Sequence, residues 1–198
     1  MNRQLISAAT NGDLGLVQAL LAEGVGPNNA RDHFGNTPLM WAADNNNSND
    51  DPEAAMGDHL SVVKELLDWD ADPNLTGEDG QPTLMWAVRG GSLPIIKALL
   101  AAGADPNIIQ VGYPNDTALN WAVSFAAERP GYIPIIKTLV KAGADPTLTN
   151  NRGEGPPVNN PFYQQAVQEL AEEQGLIQLM MHRRDLPPLG IDRYLYRR

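Results

Sequence analysis

The chain has 198 residues, 42% of them hydrophobic, and sets 14 Lys and Arg against 24 Asp and Glu for a formal net charge of −10. It has no cysteine, which excludes disulfides and thiolate-bound metal and leaves packing as the source of stability. No apolar run approaches the ~20 residues needed to cross a bilayer.

The charge is uneven along the chain. Residues 183–198 hold Arg183, Arg184, Arg193, Arg197 and Arg198 against Asp185 and Asp192, a net of +3, so 1–182 carry a net of −13. An acidic body repels phosphate backbones, so nucleic acid is not expected on it; a protein partner with a basic surface is compatible.

The first predicted elements are two short apolar segments, Leu5 to Ala9 and Val17 to Leu21, followed by Gly24-Val25-Gly26-Pro27-Asn28. The opening Met1-Asn2-Arg3-Gln4-Leu5 shows no basic-then-apolar leader, which gives a cytoplasmic protein as the expectation. Next comes Gly35-Asn36-Thr37-Pro38, a turn with Thr37 as helix cap, and then the phrase Leu39-Met40-Trp41-Ala42. The phrase returns as Leu84-Met85-Trp86-Ala87 and as Leu119-Asn120-Trp121-Ala122, the last capped by Thr117. Each copy leads into a second apolar helix and a turn containing Asp-Pro, at Asp72-Pro73, Asp105-Pro106 and Asp145-Pro146. Ile95, Ile96, Leu99 and Leu100 show the helical face most plainly. Gly24, Gly103 and Gly143 end their helices, where a residue past the C-cap takes positive φ; Asp70 stands at that place in the second copy and predicts a weaker turn.

Self-similarity of this kind predicts a stacked solenoid. The second copy is 12 residues longer than the third between phrase and Asp-Pro turn, and the fourth is 5 longer. Both sets of extra residues fall between the two helices of a repeat, as stacking requires. Leu20, Leu66, Leu99 and Leu139 are the expected outer-helix core. Beyond residue 150 the pattern loosens into a Gly/Pro/Asn-rich loop, a helix from Pro161 to Gln174 with a polar face, and an extended tail.

The phrase Thr37-Pro38-Leu39-Met40-Trp41-Ala42 and the turn Gly103-Ala104-Asp105-Pro106-Asn107 resemble the signatures of the ankyrin repeat family. Four correlated copies over about residues 3–150 carry the resemblance. It implies an all-α ankyrin-repeat solenoid of stacked helix-turn-helix pairs with β-hairpin fingers. Four repeats, at about 3–31, 32–76, 77–111 and 112–150, would be closed by a helical cap at 151–182, with 183–198 as a basic tail. Met40, Met85 and Asn120 replace the family's usual histidine and so remove a familiar hydrogen bond, and Pro82-Thr83 inverts the usual order.

Catalysis needs converging groups, and His33, His59 and His182 lie in different repeats. No enzyme activity, cofactor or metal site is expected. The oxygen-rich insert around Asp44-Asn45-Asn46-Asn47 suggests calcium, but the EF-hand spacing is missing, and a flexible, dispensable acidic loop over Asn45 to Met56 is the reading. Trp41, Trp86 and Trp121 recur in register and are expected to pack between repeats, with a row of partner anchors as the other reading.

The function expected from the resemblance is non-enzymatic recognition of a protein partner through the concave helices and finger tips, as adaptor or scaffold or as an inhibitor or immunity-type antagonist. The free chain is expected to be a monomer. Candidate contacts are residues that the repeat itself does not need. On the inner helices these are Thr10, Asn11, Asp44, Asn45, Arg89, Ser124 and Phe125. On the fingers they are Arg31, Asp32, His33, Phe34, Glu78, Asp79, Ile108, Ile109, Gln110 and Tyr113. Two other readings stay open: an enzyme or metal protein using segments 44–58 and 150–198, and contact of the arginine-rich tail with nucleic acid or an acidic membrane.

Overall fold

Nine α-helices follow one another in the computed structural model, which describes residues 1–44, 52–111, 116–150 and 158–174. For 52–58, 130 and 173–174 the backbone alone is described. The helices are α1 (Asn2–Thr10), α2 (Leu14–Ala22), α3 (Pro38–Asp44), α4 (Pro52–Asp68), α5 (Thr83–Gly90), α6 (Leu93–Ala101), α7 (Ala118–Ala126), α8 (Ile133–Lys141) and α9 (Pro161–Gln174). The short 3-10 turn Pro130–Tyr132 precedes α8. Odd-numbered helices α1 to α7 stack as an inner row, even-numbered α2 to α8 as an outer row, and α9 closes the stack against α8.

The apolar pattern explains this packing. In α6, Ile95, Ile96 and Leu99 are fully buried while Lys97 faces solvent, and Pro94 sits in the first turn, where its missing N–H costs nothing. Leu20, Leu66, Leu99 and Leu139 are all buried, as the repeat register requires. Ala42, Ala87 and Ala122 have no exposed surface, and their small side chains let the inner helices approach closely.

A ladder of asparagines joins the loops, a feature the sequence reading missed. The Asn28 side chain donates to the Asp70 carbonyl and accepts from Asp72 N–H, both at 2.8 Å. Asn74 does the same to Gly103 O and Asp105 N, and Asn107 to Gly143 O and Asp145 N. Each rung satisfies a carbonyl and an N–H of the turn that follows an outer helix. Thr147 stands at the next position, and its side chain bonds back to Asp145 instead.

Gly24, Gly103 and Gly143 adopt φ near +90°, and Asp70 takes φ 58° in the equivalent turn. A side chain there costs about 1–2 kcal/mol, partly offset by the smaller freedom of a non-glycine residue when unfolded. Asp70→Gly should therefore raise stability by about 0.5–1 kcal/mol in urea unfolding. A fall would mean that the Asp70 side chain stabilises the turn.

Three expectations change. The fingers are turns rather than regular hairpins: among the described residues the bridge Thr76–Pro82 is the sole strand-type pairing. Part of the expected loop at 45–56 is helical, because α4 begins at Pro52 and runs 17 residues against 9 for α6. Proline in a first turn followed by Glu53, Ala54, Ala55 and Met56 is a good helix start; the rest of the insert lies outside the described residues. The loss of the family histidine is made good in the fourth repeat, where Asn120 accepts from the Thr117 hydroxyl at 2.9 Å and donates to Asp116 at 3.2 Å. In the second repeat the Met40 sulfur takes the Thr37 N–H at 3.4 Å, a weaker substitute. The inverted Pro82-Thr83 has a cost: α5 has no side-chain cap, and the Thr83 hydroxyl is buried without a partner.

Candidate functional site

The first finger is organised around Asp32. One carboxylate oxygen accepts from Phe34 N and Asn36 N at 2.8 and 2.9 Å, and the other from the Asn36 amide and Trp41 Nε1 at 3.2 and 3.0 Å. Burial pushes its pKa up, but these four donors outweigh it and hold the carboxyl below its usual 3.8. A depressed carboxylate stabilises the fold above the unfolded value and stops doing so as pH falls through the folded value. The melting-temperature gap between wild type and Asp32→Asn should thus be constant from about pH 5 to 7 and close as pH falls below about 3.8. A gap that persisted at about pH 2 would assign the effect to something other than charge.

That bonding presents the neighbouring side chains outward. Phe34 is 56% exposed, with the His33 ring tilted against it at a centroid distance of 3.8 Å. Arg31 bonds Gly35 O within its own finger and Thr76 O in the next, and Glu78 N donates to Phe34 O at 2.8 Å. Glu78 and Asp79 are exposed beside them, Asp79 fixed by accepting Gln81 N–H. The edge continues at the third finger, where the Val111 backbone fills the space a side chain at residue 80 would need and Val111 itself is 72% exposed. Arg31, Asp32, His33, Phe34, Glu78 and Asp79 therefore share one surface. Ile109 is exposed, but Gln110 is buried, its N–H bonded to Asp116 O; Tyr113 lies outside the described residues.

The inner helices correct the premise that their candidates are structurally idle. Arg89 donates from Nε and Nη2 to the two Asp44 oxygens at 2.9 and 2.8 Å and lies 4.4 Å over the Trp86 ring. Asp44 keeps only 11% of its side chain exposed, so this pair clasps α3 to α5. Gly90 permits it, because the Asp44 carbonyl leaves no room for a Cβ there. Phe125 is half-buried against Trp121 and Tyr132. Thr10, Asn11 and Ser124 are exposed, while Asn45 lies outside the described residues.

The tryptophans pack rather than stand free. Trp41 meets Trp86 edge-on at 5.3 Å; Trp86 is buried, and Trp41 and Trp121 are half-buried. Gly77 stands seven residues before the phrase leucine, where Asp32 stands in the first finger, and the Trp86 indole N–H is buried without a partner. Tyr132, from the extra residues of the fourth repeat, is a contributor the sequence reading did not single out. It is buried, and its hydroxyl donates to Val88 O at 3.0 Å at the end of α5. His59 is buried as well, its ring 3.1 Å from Thr10 O, a structural tie between α4 and α1.

A solenoid of helix pairs with an outward-facing row of turns is a repeat scaffold that offers an extended surface rather than a single pocket. Residues 53–150 match the family model described as ankyrin repeats (3 copies), and the chain belongs to the ankyrin repeat family. Ankyrin repeats generally mediate protein–protein interaction and are generally non-enzymatic. No curated protein matches the chain at a significant level. Among the described residues no helix is long and apolar enough to cross a membrane, and no group of three or more His, Asp or Glu is placed to hold a metal ion.

Proposed function

We propose that this chain is a recognition module for one protein partner, which it engages along the finger edge and the exposed part of the inner helices. The carrying observation is Phe34: a large apolar ring, 56% exposed, fixed on a finger whose own backbone is hydrogen-bonded to the next. A rigid aromatic anchor beside charged groups is the chemistry of a binding hot spot. Glu78 and Asp79 beside it, and the −13 net charge of 1–182, favour a partner with a basic surface and an association that slows with added salt. Scaffold and antagonist roles both fit such a surface; they differ in whether the partner's own activity survives the complex.

The test is a binding isotherm for each variant with the partner captured from the native host, run beside its thermal melt. Phe34→Glu should weaken binding by about tenfold or more with little change in melting, since its ring is not core. Lys64→Glu and Lys97→Glu, on the outer helices, should leave affinity near wild type. Loss of affinity in the outer-helix variants alone would replace the finger-edge reading with recognition by the convex side.

A further inference from the structure

A concavity of about 440 Å³ lies between α1 and the first finger, lined by Arg3, Ile6, Arg31, Asp32 and His33. Two arginines therefore line one hollow in a body, residues 1–182, whose net charge is −13. Asp32 offsets one of them in charge, but both its oxygens are already taken by the four donors of the finger. Arg31 spends Nη1 on Gly35 O and Thr76 O, which fixes its plane and leaves Nε and Nη2 open. Among the described residues Arg3 makes no hydrogen bond or ion pair and neither His33 ring nitrogen makes a hydrogen bond.

We propose that this hollow receives the carboxylate of an Asp or Glu side chain presented by the protein partner. A guanidinium held in plane offers parallel donors that match the two oxygens of a carboxylate, and Arg3 supplies a second charge from the opposite wall. Ile6 provides an apolar wall for the methylene stem of such a residue. The volume falls within the range of ligand sites and accommodates the side chain with its flanking backbone. Because Glu78 and Asp79 occupy the next finger, the edge is polar along its length: it takes an acidic residue at the first finger and a basic one at the second. That order would set the register of the partner.

The proposal rests on the reading that the finger edge meets a protein, but its test needs no partner. The full chain, labelled with nitrogen-15, is titrated with capped Gly-Glu-Gly, with capped Gly-Gln-Gly and with inorganic phosphate, and amide shifts are followed at residues 2–7 and 31–36. The glutamate peptide should give saturable shifts there. Arg31→Gln should weaken it about tenfold, the loss of a charge-assisted hydrogen bond, and Arg3→Gln about threefold. Arg31→Gln also frees two finger carbonyls, whereas Arg3→Gln removes no hydrogen bond or ion pair among the described residues, so its loss reports binding. Equal response to the glutamine peptide, response to phosphate alone, or a glutamate response unchanged in Arg3→Gln would overturn the proposal. A silent hollow would overturn the proposal and leave the finger-edge reading standing; that reading fails on the partner isotherms instead.

Discussion

Leu99→Ala should destabilise the chain by about 2–5 kcal/mol, the range for truncating a buried leucine to alanine. Leu99 has no exposed surface, and its α6 packs against α5 of its own repeat and against α4 and α8 of the two neighbours. The cavity would open in the middle of the stack, where flanking repeats on both sides limit collapse. In a solenoid stability is close to a sum of repeat and interface terms, so weakening a central repeat weakens two interfaces together. Urea unfolding measures the effect. A loss below about 1 kcal/mol would mean that the outer row relaxes around the missing methyls.

Breaking the Arg89–Asp44 clasp should cost about 2–3 kcal/mol, placed below the 3–5 of a fully buried pair because Arg89 keeps 35% of its side chain exposed. Arg89→Ala strands a nearly buried carboxylate at the end of α3 and removes a cation stacked over Trp86. Pairing it with Asp44→Ala in a double-mutant cycle isolates the coupling, since the double variant leaves no unpaired charge behind. Additive losses would show that the two side chains act separately. If Arg89 replacements weaken partner binding, the accompanying loss of stability must be separated from any lost contact, a separation that Phe34 does not require.

The regular half of this molecule is legible in residue types. Repeated leucines and alanines place the core, positive-φ glycines place the turns, and Asp70 is, among the described residues, the one positive-φ position without glycine. Interactions between repeats are not, because they join residues 29 to 49 positions apart through side chains that also suit solvent. Asn74 in Asp-Pro-Asn reads as a turn residue, and nothing local shows that it reaches Gly103 and Asp105. Arg89 and Asp44 read as spare polar positions until the stack brings them within 2.8 Å. Tyr132 is part of an insertion, and its reach to α5 depends on how the inserted turn folds back. The finger candidates fared differently: Phe34, His33 and Glu78 have the exposure that their polar, turn-rich context implies, whereas Gln110 is buried, its N–H donated to Asp116 O.

Hydrogen exchange of the free chain and of its complex with the captured partner tests the central claim most directly. Recognition along the finger edge predicts slowed exchange at 31–36, 76–81 and 108–111 and at the exposed ends of the inner helices, with the outer helices α2, α4, α6 and α8 unchanged. Protection confined to the outer helices, with the fingers exchanging as in the free chain, would contradict it.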